Sequence, residues 1–519
     1  MPEEGNPVAF QPYLGGFILE TLTIGMYGES RNALREYIQN AFDSIQHAIR
    51  GLKLVAPGEG LITVAMGADS DSLVIRDNGA GLPAKTAAST LTSIGASAKD
   101  YRKEAGFRGI GRLAGIVFSD KVTFVTKAKG EALETRVVFD GHKMRAGMSP
   151  SKGGAQSAEA LLSSCVKAYA TETKDIAGHY FEVRLEGFQD PPEECISQPL
   201  MKAFISQVAP VPYSDSFPFR DKLKAQEEAT GIVIEEVRVQ LVDAAGAGEA
   251  ITKPYTDLYD MEEGAAKVKL IDCETRSGTH WWAWVGKKAE PGSFTNERQM
   301  GLRVRLKNIQ IDGVEVFRDV FRQQAKSSAR FQDWFVGEIF VAQSALVPNA
   351  RRDGFEENFA WRAMKKQLGD LAKDLGSEAH VISNAGQLTL DKLRQKVEEF
   401  GEEFSSLERN SFSSLDRTLK FAADITKVQK AIAKVSKDAS LRTSAELQAL
   451  SSELIDFKAH AIKRIGAEGG SVDAVEIRTT AREELLLELM DLFEGELAAP
   501  CLSAVRSILT EAYATTASP

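Results

Sequence analysis

Arg35-Glu-Tyr-Ile-Gln-Asn-Ala-Phe-Asp43 decides how this chain is read. Leu34, Tyr37, Ile38, Ala41, Ile45 and Ile49 recur at helical spacing, and no Gly or Pro interrupts them, so the pattern predicts an amphipathic helix. Glu36, Asn40 and Asp43 fall at i, i+4 and i+7 and therefore share one face. A carboxylate there is able to polarise a water, and a carboxamide oxygen is a hard ligand for Mg2+. The same stripe also suits the solvated face of a surface helix, so neighbouring stretches must decide between the two.

Leu73-Val-Ile-Arg-Asp77 has the β-branched content of a strand, and Asn78-Gly-Ala-Gly81-Leu-Pro ends it abruptly. Asp77 then stands at the mouth of a loop, where its carboxylate is able to accept from an exocyclic amine. Gly79 and Gly81 let a planar ring or a phosphate approach the backbone. Asp-Asn-Gly is also an ordinary hairpin turn. A third stretch, Gly106-Phe-Arg-Gly-Ile-Gly111, carries Phe107, Arg108, Gly109 and Ile110. It lacks the preceding strand and the glycine order of a dinucleotide fingerprint. It runs instead into Arg112-Leu-Ala-Gly-Ile-Val-Phe118, an apolar run able to form a helix with free N–H groups facing phosphate oxygens. In this order the three stretches describe an ATP site.

The three motifs resemble those of the GHKL or Bergerat-fold ATPases, a family that includes DNA gyrase B, the heat shock protein 90 chaperones, histidine kinases and the MutL and MORC proteins. The likeness is strongest to the chaperones. The resemblance implies that Glu36 is the general base, Asn40 the Mg2+ ligand and Asp77 the adenine-reading acid, with Asp43 completing the helix motif. Ser93-Ile-Gly-Ala-Ser-Ala-Lys99 is similar to the start of the family's lid, where Ser97 and Lys99 would approach the phosphates. Gly106, Gly109 and Gly111 would wrap the triphosphate, and Asp120-Lys-Val-Thr-Phe-Val-Thr-Lys127 would be the strand that follows. In place of the family's late Gly-Thr pair stands Gly178-His179. Arg108 and Arg112 occupy positions where the chaperone has smaller or apolar residues, and read either as extra phosphate contacts or as surface charge.

A second resemblance lies at Phe335-Val-Gly-Glu-Ile-Phe-Val341 and Ala345-Leu-Val-Pro-Asn-Ala-Arg-Arg-Asp353. It is similar to the chaperone middle-domain loop, and implies that Arg352 reaches the γ-phosphate from a second domain. A guanidinium suits that role because it stays charged and binds phosphate oxygens as a fork. An Arg-Arg pair in a loop is otherwise an ordinary solvated pair.

The 519 residues are 43% hydrophobic and 26% charged with a net charge of −10, which predicts a soluble, cytoplasmic protein of about three domains. The acid excess argues against a nucleic-acid coat, although a local basic face would not register in the sum. Cys165, Cys195, Cys273 and Cys501 are far apart, form no C-x-x-C, and indicate neither a zinc site nor a disulfide framework. No basic, apolar leader opens the chain, and no stretch approaches the ~18 apolar residues of a membrane span.

The expected fold class is α+β. A Bergerat-fold α/β sandwich ATPase domain spans residues 1–195 with a lid near 84–111, an α/β middle domain spans 196–358, and an all-helical region spans 359–519. Ile232-Val-Ile-Glu-Glu-Val-Arg-Val-Gln-Leu241 and His280-Trp-Trp-Ala-Trp-Val285 read as middle-domain strands. In Gly301 to Ile311 basic and apolar residues alternate, so Arg303, Arg305 and Lys307 would share a strand face, either solvated or binding nucleic acid. Leu390, Leu393, Val397, Phe400, Phe404 and Leu407 form an a/d seam, repeated at Ile425, Val428, Ile432 and Val435, that closes on itself or zips to another subunit. Glu483 to Phe493 is a leucine-rich segment that suggests a buried or dimeric surface.

The resemblance implies a Mg2+-dependent ATPase, chaperone-like or complex-remodelling, working as a homodimer on an unidentified protein client. A DNA-engaging clamp and a nucleotide-gated scaffold in a bacterial defence or signalling system are the alternatives.

Overall fold

β-Branched runs with alternating burial build the first sheet. Its strands are β1 (Leu61–Met66), β2 (Ser72–Asp77), β3 (Ser119–Lys127), β4 (Leu133–Asp140), β5 (Val166–Glu172), β6 (Tyr180–Phe188), β7 (Arg238–Val242) and β8 (Gly248–Ile251). They lie in the order β5-β4-β3-β6-β2-β1-β7-β8. β1 and β7 pair in parallel, and the other neighbours are antiparallel. The structure is a computed structural model and describes residues 11, 13–26, 29–96, 104–106, 108–149, 156–261, 267–342, 346–386, 390–410, 412, 415–435 and 445–467. Ser97, Lys99, Phe107, Cys501 and the 483–493 segment lie outside the described residues.

The helices preceding and threading this sheet are α1 (Phe17–Glu20), α2 (Asn32–Arg50), α3 (Ala84–Thr92), α4 (Gly141–Met148), α5 (Ala158–Cys165) and α6 (Gln198–Val208). α2 turns Leu34, Ile38, Ala41, Phe42 and Ile45 into one core with Ile62 and Val64 of β1, Leu73 and Ile75 of β2, Val122 and Phe124 of β3, and Val183 and Leu185 of β6. Those strand residues are two apart, as a sheet with one face covered requires. The period of α2 thus leaves its Glu36, Asn40 and Asp43 stripe at the edge of the core, above the end of β2.

Helices α7 (Arg220–Thr230) and α8 (Glu315–Gln324) accompany a short pair, β9 (Leu258–Tyr259) with β10 (Val268–Lys269), and a second sheet. That sheet contains β11 (Asp272–Gly278), β12 (Trp281–Lys287), β13 (Gly301–Leu306), β14 (Ile309–Gln310) and β15 (Val336–Val341), ordered β11-β12-β15-β13-β14. The 232–241 strand is shorter than expected and belongs to the other sheet. Val237 N–H donates to Pro210 O, and Ile234 N–H to the Glu227 carboxylate, so no ladder forms until Arg238, where β7 joins β1. β7 and β8 therefore extend the first sheet from beyond the 195/196 boundary expected from sequence.

The reading of Arg303 and Arg305 as a solvated or nucleic-acid-binding face is corrected. β13 lies inside the sheet, and these side chains are 2% and 0% exposed. Glu338 of β15 is the counter-charge. Arg305 Nε donates to its Oε1, Lys253 Nζ to its Oε2 at 2.9 Å, and the Tyr213 hydroxyl to Oε2. Burial alone would raise the Glu338 pKa, but Arg305 and Lys253 outweigh it and bring the carboxyl down to about 2. Arg303 is held by the Met300 carbonyl at 2.7 Å.

The compact units divide after Gly376, so both sheets belong to the first, residues 1–376. Helix α9 (Phe359–Gly386) carries the chain through that division. In the second unit, α10 (Leu390–Arg409), α11 (Leu415–Val435) and α12 (Ala445–Ala467) surround a core of Val397, Leu407, Ile425, Val428, Leu454 and Ala461. Val397, Phe400, Phe404 and Leu407 of the first run share this core with Ile425 and Val428 of the second, and α12 is a third partner that the heptad spacing did not single out. Among the described residues no helix is long and apolar enough to cross a membrane.

Candidate functional site

Asp77 ends β2 with its carboxylate 2% exposed. Its Oδ1 accepts from Ser44 Oγ at 2.9 Å and from Gly79 N–H at 2.8 Å, which fixes the acid against α2 on one side and its own loop on the other. Gly81 has φ +64°, and a Cβ there would come 2.0 Å from Lys127 O, so only glycine lets the loop pass β3. Thr126 accepts from Leu82 N–H at 2.8 Å. His179 Nδ1 lies 2.7 Å from Gly79 O, so the histidine of the Gly178-His179 pair touches the Asp77 loop. Beside Asp77 opens an apolar cavity of about 280 Å3, lined among others by Asn40, Leu82, Phe124 and Phe181. A carboxylate at the rim of an apolar slot suits a flat heteroaromatic ring bearing an amine.

A second cavity of about 800 Å3 shares Asn40 and Leu82 with the first and is lined by Glu36, Gly106, Gly109, Gly111 and Arg352. Gly109 has φ +74°. A Cβ on Gly111 would sit 2.4 Å from Glu36 Oε2, and one on Gly106 2.9 Å from Asn40 Oδ1. Both glycines thus keep space open over the two polar residues of α2. Ile110 is buried at the start of the 310 turn Gly111–Val117, which replaces the expected helix. The Tyr37 hydroxyl anchors that turn, accepting from Gly115 N–H at 2.8 Å, and burial pushes its pKa well up.

Asp43 faces the backbone of the loop below: its two oxygens accept from Ala105 N–H and Gly106 N–H, each at 2.8 Å. Gln39 beside it is 0% exposed, and among the described residues neither end of its carboxamide has a hydrogen-bond partner. Arg112 donates to Thr90 O, and burial lowers its pKa. Arg108 also lines the second cavity, and its guanidinium donates to the 348–356 segment.

Arg352 completes the site from the second sheet's side. Its Nε is 2.8 Å from Glu36 Oε1 and its Nη2 donates to Ala105 O at 2.7 Å, with the side chain 7% exposed. The solvated-pair reading fails for Arg352 and holds for the exposed Arg351. The structure thus brings Glu36, Asn40, Gly106, Arg108, Gly109, Ile110, Gly111 and Arg352 around one cavity and Asn40, Asp43, Asp77 and Gly81 around its neighbour, with Gly79 bonded to Asp77. Ser44, Thr126 and Gln39 escaped sequence reasoning, because nothing local distinguishes them from other polar residues, and His179 stood out only as a departure from the family's Gly-Thr pair.

Asn40 offers one hard oxygen beside an open cavity, which fits a Mg2+ ion whose remaining ligands are phosphate oxygens and water. Among the described residues no cluster of three His, Cys, Asp or Glu side chains forms a self-sufficient metal cage. Residues 28–171 match the family of histidine kinase-, DNA gyrase B- and HSP90-like ATPases.

Proposed function

We propose, from the GHKL-type ATPase domain at residues 28–171, that the chain is a Mg2+-dependent ATP-hydrolysing conformational switch of the heat shock protein 90 kind, chaperone-like or complex-remodelling, acting as a homodimer. The observation that carries the reading is the approach of Arg352 to Glu36, which brings a cation from outside the matched domain to the candidate base. Asp77 receives the adenine amine in the apolar slot, and the amides of the glycine turn face the phosphates. Glu36 orients and polarises the attacking water, and Arg352 leaves Glu36 to stabilise charge developing on the γ-phosphate. Mg2+ bound at Asn40 would neutralise phosphate charge. Hydrolysis would then require the two sheets of the first unit to hold their mutual position, which makes turnover a report on conformation.

The burial of Arg303 and Arg305 removes one strand face that could have met nucleic acid, and leaves the DNA-clamp alternative to the test. The test is steady-state ATP hydrolysis by wild type and Glu36→Ala, with and without duplex DNA, beside mass measurement with a non-hydrolysable ATP analogue. The expected result is turnover indifferent to DNA, ATP binding without turnover in Glu36→Ala, and a dimer closed by nucleotide. DNA-stimulated turnover would replace this reading with the clamp. ATP binding without hydrolysis by wild type would make the site a sensor in a scaffold.

A further inference from the structure

Arg108 stands inside the glycine turn, where an arginine first reads as a phosphate ligand. It lines the second cavity, and its guanidinium also bonds another loop. Nη1 donates to the carbonyls of Pro348 at 3.0 Å and Asn349 at 3.1 Å, and Nη2 to Glu356 Oε1 at 2.7 Å. These acceptors lie at the two ends of one closed loop: Pro348 bridges Phe355, Asn349 N–H donates to Gly354 O, and Glu356 N–H donates to Val347 O. Arg352 is at the tip of that loop, with φ +58° and its carbonyl accepting from Asp312 N–H at 3.0 Å. The tip is bonded to the same turn region through Arg352 Nη2 and Ala105 O. The arginine loop therefore meets the nucleotide turn twice, at its base through Arg108 and at its tip through Arg352.

We propose that Arg108 is a positioning residue, docking the 347–356 loop onto the glycine turn so that ordering of the turn around a polyphosphate also sets Arg352 in place. The proposal rests on the reading of Glu36 and Arg352 as the hydrolytic pair. A planar fork with donors on both terminal nitrogens spans two carbonyls and a carboxylate at once, which an ammonium does only with a change of reach and shape.

Full-length Arg108→Ala, Arg108→Lys and Glu356→Gln are compared with wild type by affinity for a fluorescent non-hydrolysable ATP analogue, by single-turnover hydrolysis and by amide hydrogen exchange across residues 347–356. Arg108→Ala is expected to leave affinity within about twofold, to slow single turnover by about 10- to 100-fold through misplacement of Arg352, and to speed exchange in the loop. Glu356→Gln should move rate and exchange the same way by less, and Arg108→Lys should fall between Arg108→Ala and wild type. Affinity weakened about tenfold or more, with exchange unchanged, would make Arg108 a phosphate ligand and end the proposal. Should wild type show no turnover, the ATPase reading fails separately. The exchange measurement then decides docking alone, an unchanged loop in both Arg108→Ala and Glu356→Gln overturning it.

Discussion

Arg352 Nε and Glu36 Oε1 meet at 2.8 Å, with the arginine 7% and the glutamate 11% exposed at the side chain. In this arrangement each partner occupies the other. The carboxylate oxygen that would orient water accepts from the guanidinium, and the guanidinium that would meet a phosphate is held by carboxylate and by Ala105 O. On the proposed reading, arrival of a γ-phosphate would exchange one anion for another at Arg352.

Arg352→Ala is expected to lower turnover by roughly 10³-fold, the low end of what an arginine at a transferring phosphoryl group supplies. Arg352→Lys should recover little of it, since an ammonium lacks the planar fork. Steady-state rates at saturating ATP check both, and a lysine variant as fast as wild type would show that only the charge matters.

Gly111→Ala places a methyl 2.4 Å from Glu36 Oε2, so either the base or the turn must shift. Overpacking of this kind costs about 1–3 kcal/mol, and the expected signature is a lower kcat with a modest fall in melting temperature. An alanine variant with wild-type kcat would place the working position of Glu36 elsewhere.

Asp77→Asn keeps the shape but removes the charge that accepts from Ser44 and Gly79. A hydrogen bond to a charged group is worth about 1.5–3 kcal/mol, so ATP affinity should weaken by roughly 10- to 100-fold. Isothermal titration with a non-hydrolysable analogue measures this, and an unchanged affinity would remove Asp77 from adenine recognition.

Glu338 supplies a pH dependence. Against the opposing effect of burial, Arg305 and Lys253 hold its carboxyl down to about 2, below the ordinary value of 4.5. Between those values the unfolded chain binds a proton that the folded chain does not, so stability is fully present above the window and is lost as pH falls through it. Urea midpoints should therefore drop as pH falls from 4.5 towards about 2, the window between the two pKa values. Glu338→Gln, which strands Arg305 and Lys253, should cost about 3–5 kcal/mol at neutral pH and flatten the acid limb. A variant as acid-sensitive as wild type would assign that limb to other carboxylates.

Local pattern made α2 legible, because one apolar stripe fixed both its burial and the face that carries Glu36 and Asn40. The break after Asp77 and the glycine turn were legible for a similar reason, since glycine adopts the positive φ at Gly81 and Gly109 without the steric cost a side chain carries. What pattern could not supply was the partner across space. Alternation placed Arg303 and Arg305 on one face but was silent on whether that face meets water, and Glu338 stands 33 residues beyond Arg305. Asp43 shares the stripe with Glu36, yet its oxygens turn to amides 62 and 63 residues away. His179 touching Gly79 O likewise depends on β6 running beside β2.

The order of the first sheet bears on how this chain is cut into pieces. The family match ends at residue 171, but β6 begins at Tyr180 and lies between β3 and β2. A fragment confined to the match would leave β5-β4-β3 and β2-β1 as separate ribbons, each with a bare edge ready to pair with a stranger. Ending at 195 restores β6 yet still strips β7 from β1. A fragment that keeps the whole first sheet must therefore reach Ile251, the end of β8, within a compact unit that runs to Gly376, and one drawn at the sequence motif would be prone to aggregate.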